Sequence, residues 1–172
     1  MEEKHTGNET SRNKFDLKYH SQRDTEEDSH SLINHVLESQ KLGVFASDKQ
    51  GLPYTTLVAF IHSPDLMHIY FATYKDTRKY ENIQKNPKVS ILIDDRENKS
   101  SDFYKATAIT AEGVAETLDP PFSTLKEKFL NKHPHLADFI NSRSARMIRI
   151  KVKKYNVVGR FQNVKIVEMQ EN

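Results

Sequence analysis

There is no cysteine anywhere in the 172 residues, which removes disulfides, thiolate nucleophiles and cysteine-bearing zinc sites in one step. Nowhere is there a run of the ~18 uninterrupted apolar residues that a membrane span requires. The N-terminal residues also lack the continuous apolar stretch of a signal peptide, so a soluble, cytoplasmic protein is expected, with no membrane partner. An excess of one charge is missing too. Lysine and arginine number 26 against 24 aspartates and glutamates, a net charge of +2, whereas proteins that grip a nucleic-acid backbone normally carry a clear basic excess or stripe. No nucleic acid is expected, and a small molecule is the default partner.

What is present suffices for one domain with a sizeable core. Hydrophobic residues make up 36% and charged residues 29% of the chain, and the polar excess gathers at the start. Residues 1–28 hold little that is apolar beyond Phe15, Leu17 and Tyr19. Such a segment cannot bury enough surface to offset the entropy of ordering it. Residues 1–28 therefore read as a disordered tail and 29–172 as the folded domain.

Asp28 or Ser29 caps a helix in which Leu32, Ile33, Val36 and Leu37 recur at helical spacing, with Gly43 to stop it. Val44 to Ser47, Pro53 to His62 and Leu66 to Ala72 read as an antiparallel meander, separated by the turn residues Asp48-Lys49-Gln50-Gly51 and His62-Ser63-Pro64-Asp65. Thr77 to Lys85 is helical and ends at Asn86-Pro87. Lys88 to Ile93 is a short apolar strand and Asp94 to Asp102 a polar loop. Tyr104 to Thr117 reads as a long strand with a bulge or bend at Gly113. Helices follow from Pro120 or Pro121 to about Lys132 and from Pro134 to Asn141. The runs Ala145 to Lys153 and Tyr155 to Met169 alternate apolar and charged residues, as half-buried strands do. Six or seven antiparallel strands with peripheral helices predict a mainly β (α+β) closed or partly closed barrel.

One junction does not fit ordinary core or surface. The strand ending at Ala72 and Thr73 hands over through Tyr74-Lys75-Asp76 to Thr77-Arg78-Lys79, the start of a helix. Helix N-termini offer unpaired N–H groups and the positive end of a dipole, so cations in the first turn are misplaced unless an anion compensates them. Thr73 and Thr77 supply hydroxyls, Arg78 a fork suited to phosphate oxygens, and Lys79 a point charge. A phosphate monoester explains all four. The competing reading is a capped, solvated helix start in which Glu81 pairs with Arg78, Lys79 or Lys85.

The wider sequence decides between them. "GLPYTTLVAF" from Gly51, "MHIYFATYKDTRKYENIQKNPKVSILI" from Met67 and "TAEGVAETL" from Thr110 together resemble the pyridoxamine 5'-phosphate oxidase-like family of FMN-binding split barrels, in order and with its spacing, over about Ser31 to Leu118. The resemblance implies a homodimer with FMN held between subunits, its phosphate at Thr77, Arg78 and Lys79. Ala72 and Thr73 would lie against the flavin tail and ring, and the backbone of Thr56, Leu57, Val58 and Ala59 would line the isoalloxazine. Arg160 and Phe161 are second-tier candidates, because the family's final strand comes near the flavin at the interface.

Departures from the oxidase itself limit the inference. Where the oxidase has a phosphate-holding arginine this chain has Thr56, and where it has a substrate-binding lysine this chain has Ile61. A ring-contacting glutamine falls near Ala108, and the oxidase's C-terminal tryptophan, arginine and histidine have no counterpart, the chain having no tryptophan at all. Vitamin B6 oxidation is not implied. No catalytic side chain is assigned, because a bound flavin carries the chemistry. No metal site is assigned either. His133-Pro134-His135 reads as a surface turn, since histidines flanking proline diverge, and His62 and His68 read as a pair facing each other across a hairpin. The expected function is an FMN-dependent oxidoreductase passing hydride or electrons to an undetermined small-molecule substrate. The alternative is a non-catalytic flavin, haem or deazaflavin binding protein.

Overall fold

A computed structural model describes residues 26–159 and 163–170. The expected tail and the second-tier pair Arg160 and Phe161 fall outside these residues, except that the first helix, α1 (Glu26–Ser39), begins inside the span assigned to the tail. Seven strands follow: β1 (Leu42–Lys49), β2 (Leu52–His62), β3 (His68–Tyr74), β4 (Lys88–Asp94), β5 (Thr107–Thr117), β6 (Ala145–Gly159) and β7 (Asn163–Glu168). Helix α2 (Arg78–Lys85) lies between β3 and β4, α3 (Asp102–Lys105) between β4 and β5, and α4 (Ser123–Lys132) and α5 (Ala137–Asn141) between β5 and β6.

All pairings are antiparallel, in the order β3-β2-β1-β4-β5-β6-β7, and β3 also pairs with β6. Six strands therefore close into a barrel, and β7 extends β6 beyond it. The split barrel follows from alternation along each strand. Phe45, Val58, Phe60, Ile69, Phe71, Ile91, Ile93, Ile109, Ile150 and Val157 point inward, and Ile33, Val36 and Leu37 of α1 join the same buried cluster. A second cluster lies on the outer face, where Phe129 of α4 and Ile140 of α5 cover Ile61, Ala72 and Met147.

β6 corrects one expectation. The break placed at Lys154 is not a strand end, because β6 runs unbroken from Ala145 to Gly159. Glu112 pairs with Lys154 and Gly113 with Val152, leaving Lys153 as the extra residue of a β-bulge. The alternation of inward residues slips there from Val152 to Tyr155, which in the sequence looks like the end of one strand and the start of another. The bend expected at Gly113 is real, and its extra residue lies on the partner strand. Gly159 is paired in regular register with Thr107 and Asn163. Two shorter shifts are local. Tyr104 belongs to α3, not to the following strand, because the Asp102 carboxylate accepts the N–H groups of Glu97 and Lys99 and turns the loop into a helical turn. Leu66 sits at φ 61 before β3, and its carbonyl accepts the buried Tyr155 hydroxyl at 2.6 Å.

Gly113 is the position where a side chain is least tolerable, since a Cβ there would overlap the Lys151 carbonyl oxygen, whereas one at Gly159 would meet nothing within 4 Å. Gly113→Ala is expected to cost at least about 2 kcal/mol of unfolding free energy and Gly159→Ala less than about 1. Denaturant unfolding of the two variants checks this, and equal stabilities would count against a bulge that depends on glycine.

Candidate functional site

The junction that stood out in the sequence coincides with a gap in the barrel. β2 pairs with β3 only where Phe60, Ile61 and His62 face Phe71, Tyr70 and Ile69. The same register continued would set Ala59 opposite Ala72 and Val58 opposite Thr73, but the strands part before that point. Over Leu52 to Ala59 the described pairing of β2 is with β1 alone, while Ala72, Thr73 and Tyr74 pair with β6. Backbone N–H and C=O groups on one edge of β2 thus face an opening instead of a strand. The predicted ring-lining residues Thr56, Leu57, Val58 and Ala59 lie along that edge, and the predicted strand-exit pair Ala72 and Thr73 lies across from it. Their side chains differ: Val58 is in the barrel core, Ala59 packs on the second cluster, and Leu57 is 63% exposed.

The helix start closes one end of this opening. Thr77 is the N-cap of α2, with extended backbone and its hydroxyl accepting from the Tyr80 N–H. That hydroxyl donates to the Tyr74 carbonyl at 2.8 Å and lies 2.9 Å from the hydroxyl of Thr73, which is 1% exposed. The Thr77 proton is committed to Tyr74, so the short contact is filled by the Thr73 proton. The threonines therefore weld the strand exit to the helix start. The sequence reading had Thr77 as the N-cap of this helix and Thr73 as a hydroxyl donor, and here both hydroxyls are engaged within the protein.

The cations are not engaged in the same way. Glu81, the acid expected to neutralise the helix start, binds Lys49 of β1 at 2.8 Å and Lys85 at 2.7 Å. Hydrogen bonds from Lys49 and then Lys85 hold its carboxyl down at about 2. Among the described residues neither Arg78 nor Lys79 has a carboxylate partner. Burial pulls the Lys79 ammonium below its ordinary value, the mark of a half-buried cation whose desolvation is uncompensated. Arg78 lies with its guanidinium carbon 4.5 Å from the centroid of the Tyr54 ring on β2. A groove of about 800 Å³ opens beside them, lined by Lys49, Gln50, Leu52, Lys75, Asp76, Thr77, Arg78 and Glu81. Its hairpin wall is shaped by Gln50 and Gly51, at φ 55 and φ 83, the two left-handed positions of a two-residue turn.

The helix itself is held by buried polar contacts. Asn82 is fully buried and donates to the Ser47 hydroxyl at 3.1 Å. Asn86 ends the helix and donates to the Asp48 carboxylate at 3.1 Å. Sequence reasoning missed Tyr54, Lys49 and Asn82. Tyr54 stood inside a quoted motif, but only its contact with Arg78 distinguishes it from any strand tyrosine. His62 and His133 make contacts within the fold. His133 is buried, not in a surface turn, because its Nε2–H donates to the Phe60 carbonyl at 2.8 Å. His62 and His68 do not face each other: His62 meets Glu38 of α1 at 3.2 Å, while His68 is opposite Lys151.

A family model for pyridoxamine 5'-phosphate oxidase matches residues 30–159. General stress protein 26 of Bacillus subtilis is 35% identical over 68 residues, which is 40% of this chain and 47% of that protein, so the match spans under half of the relative. A heme binding protein of Mycobacterium smegmatis superposes with TM-score 0.67 at 16% identity, over 77% of this chain and 55% of the other. A FAD-binding protein of Mesorhizobium loti gives TM-score 0.57 at 20% identity, over 74% and 90%. These two structures share the fold.

Glu81 provides a check on the charge arrangement at pH values below neutrality. Its carboxyl titrates at about 2, below its ordinary value, so its stabilisation is present above the ordinary carboxylate range and is lost as pH falls toward 2. Glu81→Gln should lower the melting temperature slightly at neutral pH, and the gap from the parent should close between about pH 5 and about pH 2. Thermal melts across that range test it, and a gap that does not change with pH would mean that the two lysine pairs contribute nothing.

Proposed function

We propose that this chain, which belongs to the pyridoxamine 5'-phosphate oxidase family, binds FMN non-covalently in the opening between β2 and β3 and acts as a flavin-dependent oxidoreductase. The observation that carries this reading is a gap with an unpaired strand edge that ends at a helix start whose two cations have no acidic partner among the described residues. Such a site offers a hydrogen-bonding edge to a flat heterocycle and a positive end to a phosphate. That a structural neighbour is a FAD-binding protein agrees with a flavin in this fold.

In this reading Arg78 and Lys79 hold the phosphate together with the first N–H groups of α2, and Thr77 fixes the helix start that presents them. Thr73 and the small Ala72 form the strand-exit wall. The backbone of Thr56, Leu57, Val58 and Ala59 hydrogen-bonds the polar edge of the ring, and Val58, buried in the core, keeps that wall dry. Bound FMN supplies reversible hydride and single-electron transfer. The protein's contribution is position, hydrogen bonding and exclusion of water, and no side-chain base is assigned.

The second subunit belongs to the same proposal. On the outer face, register aligns Leu57, Val44, Leu92, Thr110, Asn156 and Ile166 across six strands, and Leu57 and Ile166 are 63% and 60% exposed. A largely apolar row beginning at the ring-lining residue Leu57 suits a copy of the chain that covers the flavin's open side. Sedimentation of the FMN-loaded protein at micromolar concentration should give twice the mass of one chain, and a single-chain mass would sink the dimer.

Cofactor identity is tested by titration. Replacing Arg78 and Lys79 together with alanine removes two charge-assisted contacts of ~1.5–3 kcal/mol each, roughly tenfold to hundredfold in FMN affinity apiece. Riboflavin, which lacks the phosphate, should bind parent and variant alike. Fluorescence-quenching titrations with both ligands separate the cases, and equal FMN affinity in the two proteins would overturn the phosphate site. Absorption of the purified protein should show paired flavin bands, and a Soret band would favour haem.

A further inference from the structure

We infer that Tyr54 is a positioning residue of this site, an aromatic platform that orients the Arg78 guanidinium while leaving its hydrogen-bond donors free for an anion. The inference rests on the phosphate reading above. A cation at the start of a helix, close to the positive end of the dipole, is usually held by a nearby acid. Here the first-turn acid Glu81 is bound to Lys49 and Lys85, and among the described residues no carboxylate or carbonyl accepts from Arg78. What lies against it is the face of the Tyr54 ring, 4.5 Å from ring centroid to guanidinium carbon.

The chemistry of the two kinds of partner differs. A carboxylate binds the in-plane N–H fork and so uses the donors that a phosphate would need. An aromatic face attracts the charge through its quadrupole and occupies only the flat side, so all in-plane donors remain available. Tyr54 is well placed to do this. It lies in β2, paired to Ser47 of β1 and within the stretch that β3 does not cover, so its ring, against Arg78, links the strand edge to the helix start. Holding the arginine there before binding reduces the side-chain freedom lost when an anion is gripped.

FMN and riboflavin titrations into the parent, Tyr54→Phe, Tyr54→Leu, Arg78→Ala and the Tyr54→Leu/Arg78→Ala double variant test this. Tyr54→Phe keeps the ring and should bind FMN as the parent does. Tyr54→Leu should weaken FMN about twofold to tenfold, leave riboflavin unchanged, and cause no further loss once Arg78 is alanine. Unchanged FMN affinity in Tyr54→Leu, where Arg78→Ala does weaken FMN, would overturn the positioning role alone. So would equal losses of FMN and riboflavin, or the same loss with and without Arg78, each of which marks a packing residue. Unchanged FMN affinity in Arg78→Ala would overturn the phosphate reading itself, and this inference with it.

Discussion

The structure turns on the early end of one strand pairing. β2 and β3 share a register only from Phe60–Phe71 to His62–Ile69, and beyond it β2 stays with β1 while β3 stays with β6. A barrel normally removes its edges by closing, and here both β2–β3 and β1–β4 are joined at only three described positions, with β2 before Phe60 paired on one side alone. An unpaired backbone edge is costly when it is buried without partners and prone to aggregation when it is exposed. The opening is therefore a place where another hydrogen-bonding surface belongs, and α2 is anchored beside it.

That anchoring ties the helix start to the sheet. The Thr73–Thr77 contact, the Thr77 bond to Tyr74 and the Lys75 N–H bond to Ser144 fix the turn to β3 and to the entry of β6. Asn82 and Asn86 fix the other side of the helix to β1. Two threonine protons are used to build the joint, and among the described residues neither Arg78 nor Lys79 beside it has a carboxylate partner. Glu81 contributes by being occupied elsewhere: its pairs with Lys49 and Lys85 draw the acid of the helix's first turn away from Arg78 and Lys79.

Much of this was legible in the sequence because the signals were local. Strand alternation, the Asn-Pro helix stop and the threonine cap are short-range patterns, and they place the elements and the order Ala72, Thr73, Thr77, Arg78, Lys79 without tertiary information. The gap between β2 and β3 was not legible, since a strand that loses a partner halfway looks the same in sequence as one that keeps it. The Glu81–Lys85 pair is a helical spacing the sequence offers, but the pair with Lys49, 32 residues away, was not legible, and neither was the stacking of Arg78 on Tyr54. The bulge at Lys153 shows a further limit: a one-residue slip in alternation has the same sequence signature as a turn, and only register with β5 resolves it.

The positions where this chain departs from the oxidase gain meaning from the fold. Ile61, where the oxidase has a substrate-binding lysine, is 5% exposed and packed among Ala72, Phe129, Ile140 and Met147. That wall is sealed by α4 and α5, and a charged group there would have to be desolvated without a partner. Thr56, where the oxidase has a phosphate-holding arginine, leaves the adjoining strand without a cation, so positive charge beside the opening comes from Lys49 at the hairpin and from Lys75, Arg78 and Lys79 around the helix start. Charge is thus gathered at the helix-start end, whereas the side around Ile61 is apolar.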